Sequence, residues 1–374
     1  MSEPSPVASL LRELVRIPSP SGDEAAAAEF CIARLAERGI DAERVGDSVL
    51  ARLDRGAGPT LFLNSHLDTV PVGQGWTREP LAAEWEGERL YGRGANDAKA
   101  SVAAMLHALF DLTGDASWRG TVLLGLSACE ETTNAGMGAL LGALGAPGTG
   151  GLPDAAVTGE PTGLRVCRAQ SGLAVLRAVW SGRSCHAAHV ARAEHVNALL
   201  VAASQVVATG PCVELEGRHP LLGASTVAPT VMRAGERHNV VPDRAEVLFD
   251  ARLAPPHDAA EAVRALERLL PDARVLVQSE RLRPVETSAD HALVRTALRC
   301  AGAEEALGSA TLSDMALLIG VPAVKCGPGE TRRSHTPDEF VTRSELEAGR
   351  SFYAALVPAA LEALRSPEPS AVPR

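Results

Sequence analysis

The chain has 374 residues, 46% of them hydrophobic and 22% charged, with 36 lysines and arginines against 46 aspartates and glutamates for a formal net charge of −10. That apolar content excludes global disorder, and the acidic balance argues against a surface built to grip nucleic acid or an anionic membrane. At about 150 residues per domain, the length predicts two or three domains. Aromatic residues make up only 3%, so the core must be mainly alanine, leucine and valine. No run approaches the ~20 apolar residues of a membrane span. The opening MSEPSPVASLLREL has neither a basic n-region nor an apolar h-region, so no secretory signal is expected and a cytoplasmic location is. The seven cysteines are odd in number and scattered, without CxxC or Cys/His clusters, which argues against a disulfide framework or a zinc knuckle. Cys129 and Cys185 read as small buried fillers.

In chain order, PVASLLRELVRI carries helical spacing and is stopped by PSPSG at 18–22; Asp23 is then expected to cap a second helix ending at Gly39. From there to about residue 160, short apolar runs alternate with helical stretches. The runs are SVLARL at 48–53, TLFLN at 60–64, TVLLGL at 121–126 and AAVTG at 155–159, with a helix over 97–112. Such alternation predicts an α/β domain around a largely parallel sheet flanked by helices. The Gly-x-Gly at 145–151 lacks a following Lys-Ser/Thr, so it reads as a flexible loop and not a phosphate cradle. The middle third changes character, reading as strand 171–180, helix 193–210, strands 225–232 and 245–253, helix 257–270 and strand 273–278. That order is the split βαβ, ferredoxin-like sandwich. The α/β pattern resumes after Pro284, with a helix from 290 and a short strand over 321–327. Hence a small α+β domain (171–282) is read as inserted into a larger one (1–170 and 283–374), with a frayed tail from 366.

Acidic and histidine residues recur just after these runs: His66 and Asp68 in NSHLDTVP, Glu130 and Glu131 in SACEETTN, Glu160 in TGEPTG and His335 in SHTPDEF, with Asp97 at the start of a helix. Residues past the carboxyl ends of parallel strands line one crevice. So many carboxylates without cations would repel and be costly to desolvate, a problem two divalent metals remove. Mixed imidazole and carboxylate ligands suit Zn²⁺, with Co²⁺ or Mn²⁺ able to substitute. Asp97 is the natural bridge, because the flanking Gly94 and the helix start allow close backbone approach. Asp68 can fix the tautomer of His66. One of Glu130 and Glu131 can bind metal while the other acts as general base. Singly, each piece has a bland reading: an incidental His-x-Asp, a solvated Glu-Glu face, a GEPT turn, a helix cap.

Together, IPSPSGDE, SHLDTVP, YGRGANDAK, CEE, GEPT, SGRSCHAAH, NVVPDRAEVLFDAR, TLSDMALL and GPGETRRSHTPDEF resemble the co-catalytic zinc metallopeptidase and deacylase superfamily, over nearly the whole chain. That superfamily includes acetylornithine deacetylase, succinyl-diaminopimelate desuccinylase and aminoacylase. The resemblance implies two Zn²⁺ ions, one on His66, Asp97 and Glu160, the other on Asp97, Glu131 and His335. It further implies Glu130 as the base that takes a proton from the attacking water and returns it to the leaving amine. The inserted domain would be a lid and dimerisation domain, making a homodimer in which His186 reaches the partner's site as an oxyanion stabiliser. Arg252 and Asn239 would hold the substrate carboxylate and tetrahedral centre, and the Gly327–Gly329 loop would offer backbone amides. Segments such as GANDAKAS and RSHTPDEF are most similar to acetylornithine deacetylases, which release acetate from N-acetylornithine in arginine biosynthesis. One departure is Ala100, where many relatives have glycine. Alternatives on the same scaffold are hydrolysis of an amino acid from a carrier protein, a desuccinylase, or a dipeptidase or carboxypeptidase. A non-catalytic binding relic is disfavoured because every candidate ligand is present.

Overall fold

The computed structural model describes residues 5–145 and 151–365; the interior of the 145–151 loop and the tail from 366 lie outside the described residues. The chain divides into two compact units, one of Met1–Arg168, Glu286–Leu307 and Ser313–Arg374, the other of Ala169–Val285 with Gly308–Leu312. The boundaries thus fall at 168/169 and 285/286, against the expected 170/171 and 282/283. The short return at 308–312 has no sequence signal. It is held by contacts within the second unit: Ser171 N–H donates to the Ser309 carbonyl at 3.0 Å, and Gly308 lies against the backbone of Leu221.

The first unit is built on a mixed sheet whose centre is parallel, in the order Thr121–Ser127, Thr60–His66, Ala155–Thr158, Ala323–Lys325. Antiparallel strands Ser48–Asp54 and Asp41–Val45 extend one margin. The central strands are buried along nearly their whole length, as expected where helices cover both faces. The helix Lys99–Thr113 is buried almost all round, from Ala100 to Leu109, and packs against Pro6–Arg16 and Arg343–Arg365. Its many alanines permit that close approach. The second helix starts at Ala25 and not on an Asp23 cap: the N-cap is Glu24, whose carboxylate is drawn into the fold, where it accepts from Gly22 N–H and Cys129 N–H at 2.9 Å each.

The second unit carries an antiparallel five-stranded sheet in the order Val213–His219, Gly223–Ala234, Arg244–Leu253, Gly172–Ser181, Ala273–Leu282. Setting aside the edge strand Val213–His219, the remaining order is that of the ferredoxin-like sandwich. Helices Ala198–Ala208 and Ala259–Leu269 contribute Ala198, Ala202, Ala262 and Leu266 to the core around Trp180 and Phe249. The first of these starts at Ala198, later than its apolar spacing suggests. Arg183 and Val196 pair as a bridge, and Asn197 caps the helix by accepting from Leu199 N–H.

Candidate active site

Strand register brings the chemistry to one edge of the first unit. His66 sits opposite Ser127, Asn64 opposite Thr158, and Thr158 opposite Lys325, so four parallel strands end side by side. Each leads directly into a segment bearing a candidate: His66 and Asp68, then Glu130 and Glu131, then Glu160, then the loop to His335.

There the side chains converge. His66 Nε2 lies 3.3 Å from Asp97 Oδ1 and 3.9 Å from Glu160 Oε1. His335 Nε2 lies 3.6 Å from Asp97 Oδ2 and 2.9 Å from Glu131 Oε1. The two oxygens of Asp97 therefore face one histidine each. His66, Asp97 and Glu131 present ligand-type atoms that all fall within 4.8 Å of one another.

The surroundings hold this arrangement from several sides. His66 Nδ1 meets the main-chain carbonyl of Asp68 at 3.0 Å, closer than the Asp68 carboxylate at 3.4 Å, so the carbonyl is the nearer partner for fixing the tautomer. The Asp68 carboxylate instead accepts from Glu130 N–H and Glu131 N–H, each at 3.0 Å, and from Ser21 Oγ at 2.6 Å. The backbone before Asp97 is gripped by buried Glu339, which accepts from Asn96 N–H at 2.8 Å, Asp97 N–H at 2.9 Å and the Arg93 guanidinium at 2.6 Å. Sequence reasoning misses Glu339. Its one signal is its place as an acidic residue four positions beyond His335, in TPDEF.

Electrostatics test whether cations belong here. Burial pushes the Glu160 carboxyl up to about 8, with His66 and Lys325 pulling it down and Asp97 and Glu131 adding to the rise. Burial likewise lifts Glu130 well above the ordinary carboxylate range, despite the opposing pull of His66. Burial disfavours the His66 cation, yet hydrogen bonds to Asp68 and Asp97 and the charges of Glu130 and Glu160 raise it well above its usual value. Protein groups alone therefore leave the acids short of positive charge. A histidine and carboxylate donor set with Asp97 facing both ways fits a pair of divalent ions of the zinc type.

The remaining candidates are distributed differently. His186 and Asn239 belong to neighbouring loops of the second unit: His186 and Val240 pair as a bridge, and Ala187 N–H donates to the Asn239 carbonyl at 2.9 Å. The exposed His186 accepts from Ala188 N–H through Nδ1, capping a short 3₁₀ turn. Arg252 is engaged with Asp250, Nε to Oδ1 at 2.8 Å and Nη2 to Oδ2 at 3.2 Å, because residues two apart on a strand share a face. Gly327 does not offer its amide: the N–H donates to Thr162 Oγ1 at 3.2 Å. Its glycine identity is a packing requirement, since a Cβ would come within 2.7 Å of the Glu160 carbonyl and 2.6 Å of Ser101 Oγ. Gly329 accepts at its carbonyl from Gly163 N–H and lies against the Asn96 side chain. All seven cysteines are free. Among the described residues, no helix is long and apolar enough to cross a membrane.

Residues 62–359 match Peptidase family M20/M25/M40, and the chain belongs to that family of hydrolases. A relative in Pyrobaculum aerophilum, named as a LysW-lysine/LysW-ornithine hydrolase, is 31% identical over 350 residues, covering 91% of this chain and 94% of its own. A succinyl-diaminopimelate desuccinylase of Dinoroseobacter shibae is 31% identical, covering 70% and 71%. An acetylornithine deacetylase of Erwinia tasmaniensis is 28% identical, covering 83% and 82%. In fold, the chain is similar to a dinuclear metal-binding M20 peptidase of Bacillus subtilis, with a TM-score of 0.74, 19% identity and coverage of 95% and 98%.

Proposed function

We propose that this chain is a dinuclear zinc-dependent amidohydrolase that removes an N-acyl group, acetyl first among candidates, from an amino acid such as N-acetylornithine. The observation that carries the reading is Asp97, with one oxygen toward His66 and the other toward His335. In this reading His66, Asp97 and Glu160 hold one ion, and Asp97, Glu131 and His335 the other. Two such ions would supply an electrophile for the amide carbonyl and lower the pKa of the attacking water.

The chain's own groups do the rest. Burial, with the neighbouring acids Glu160, Asp314 and Glu131 adding to it, raises the proton affinity of Glu130, which suits a base that must take a proton from water and deliver it to the departing nitrogen. Asp68 accepts from the backbone amides of both Glu130 and Glu131, one on each oxygen, and so holds the stretch that carries them. Arg252 would exchange its exposed pair with Asp250 for the substrate carboxylate; such surface pairs are worth only about 0–1 kcal/mol, so the exchange costs little. Asn239 and His186 would contribute to the tetrahedral centre. The second unit would form a homodimer, and the enzyme would work in the cytoplasm within arginine biosynthesis.

A second reading, release of lysine or ornithine from a carrier protein, is favoured by the near full-length match to the Pyrobaculum protein. The deciding experiment is a substrate panel with Zn²⁺ or Co²⁺ supplied: acetylornithine, succinylornithine, succinyl-diaminopimelate, a carrier-linked lysine or ornithine and unblocked dipeptides. Acetylornithine should give the highest kcat/KM. A higher value for the carrier-linked substrate replaces the first reading with the second, and faster dipeptide cleavage removes both.

A further inference from the structure

Outside the ligand set, Asp314 is a buried acid with no part in the proposed chemistry. Asp314 opens a four-residue 3₁₀ turn, Asp314–Leu317, and is 1% exposed. Its Oδ2 accepts from Ser127 Oγ at 2.5 Å and its Oδ1 from Asn134 Nδ2 at 2.9 Å. Ser127 is the last residue of the strand Thr121–Ser127, and Asn134 immediately precedes the helix Ala135–Leu144. The two oxygens thus grip the two ends of the loop that carries Glu130 and Glu131.

The loop needs that grip. Two of its residues, Cys129 at φ 55° and Asn134 at φ 53°, occupy the left-handed region. Such residues persist only where the surroundings over-determine them. Along the loop's interior the backbone amides are already held: Ala128 N–H by Ser48 Oγ, Cys129 N–H by Glu24, Glu130 and Glu131 N–H by Asp68. Those bonds fix the middle of the loop. Asp314 fixes its span, from a segment 180 residues distant from Asn134 in sequence. Burying a carboxylate for a purely space-filling role would be costly, since burial raises its proton affinity and only polar partners offset that.

We propose that Asp314 is a positioning residue that sets the separation of the two ends of the 127–134 loop, and with it the placement of Glu130 and Glu131. The inference rests on the amidohydrolase reading for its kinetic consequence, but the geometric claim is measurable without substrate.

The test compares Asp314→Asn with Asp314→Leu in the full-length protein. Asparagine can re-pair by reversing one role, its oxygen keeping one of the two donors while its NH₂ donates to Ser127 Oγ or to the oxygen of a flipped Asn134 amide; leucine has similar volume and no acceptor. In Asp314→Leu, kcat should fall by about 100-fold with KM within about threefold, the size expected when a reacting group is misplaced by roughly an ångström. Asp314→Asn should recover most of that loss. Independently of turnover, amide hydrogen exchange at residues 130 and 131 should quicken about tenfold in Asp314→Leu and remain near the parent rate in Asp314→Asn. Zn²⁺ affinity by chelator competition should weaken in the leucine variant alone. The proposal is overturned if the leucine variant keeps parent exchange rates at 130 and 131, or if asparagine loses as much as leucine. If Asp314→Leu does not fold, the Ser127→Ala/Asn134→Gly double variant removes the same two bonds from the other side; parent exchange and parent Zn²⁺ affinity in it would equally overturn the proposal. Should the parent protein hydrolyse no N-acyl amino acid, the functional reading fails while exchange and metal affinity still decide the role of Asp314.

Discussion

Glu339→Gln is the substitution whose cost can be worked out most directly. The carboxylate is 1% exposed and accepts four bonds: from Asn96 N–H and Asp97 N–H on Oε1, at 2.8 and 2.9 Å, and from Arg93 and Gly94 N–H on Oε2, at 2.6 and 3.2 Å. A glutamine keeps one acceptor oxygen and turns an NH₂ group toward two donors, whichever way it flips. If the oxygen stays with Asn96 and Asp97, buried Arg93 loses its counter-charge, and breaking one side of a buried pair costs about 3–5 kcal/mol. If the amide flips, its oxygen keeps a neutral bond to Arg93, the counter-charge is still gone, and two backbone N–H groups are orphaned at about 1–3 kcal/mol each. Either way the loss is about 4 kcal/mol, a large share of the roughly 5–15 kcal/mol that holds a typical protein folded. For a unit of this size that corresponds to a melting point lowered by about 10 °C. Because two of the four donors fix the backbone at Asp97, Zn²⁺ affinity should also fall about 10- to 100-fold. Calorimetry and chelator competition on the two proteins measure both effects. Melting within about 2 °C of the parent, with unchanged Zn²⁺ affinity, refutes the claim that Glu339 organises the site.

Other substitutions and conditions probe the site and its supports separately. Glu130→Gln should leave metal content unchanged by elemental analysis while kcat falls about 100- to 10,000-fold, since proton acceptance and delivery vanish together; activity within tenfold of the parent removes Glu130 as the base. Stripping metal with a chelator should lower the melting point, because a ligand at about 1,000 times its Kd stabilises by about 4 kcal/mol; identical melting of stripped and Zn²⁺-loaded protein argues against a metal site. Lys99 Nζ donates to the Leu14 and Ile17 carbonyls at 3.0 and 2.7 Å, and burial pushes its pKa from 10.5 down to about 8. Between those values the unfolded chain binds more protons than the folded one, so stability rises with pH across the window and the full cost, about 3 kcal/mol, is present below about 8. Denaturant titrations of metal-free protein at pH 7.5 and 10 should show that rise in the parent and not in Lys99→Met; equal slopes would contradict it.

What could be read from the sequence followed from strong periodic signals. Apolar runs such as TLFLN and TVLLGL mark strands buried on both faces, and the histidine or acid following each run marks the strand end at which chemistry collects. Where the signal was weak, tertiary context supplied what periodicity could not. The edge strand Val213–His219 buries only Leu215, so its alternation is invisible. The helix Ala135–Leu144 contains Gly136, Gly138 and Gly142, a composition that argues against helix. Yet Gly136 is required there, because a Cβ would sit 2.4 Å from the backbone nitrogen and oxygen of Ala128, at the base of the 127–134 loop.

The same division runs through the site. Ligand-type residues declare themselves by chemical type and by position after a strand, whereas the residues that hold them do so only through contacts across the fold. Glu24, Glu339 and Asp314 are each an ordinary acid in sequence, and each is buried on backbone or side-chain donors in a segment that carries a candidate site residue. Gly327 and Arg252 show the converse, since groups with the right chemistry are engaged by Thr162 and Asp250 once the chain is folded. A chemical inventory therefore nominates the groups that act, and the hydrogen bonds around them decide which are held in place to do so. That is why the supporting acids, more than the ligands, are where substitution should separate positioning from chemistry.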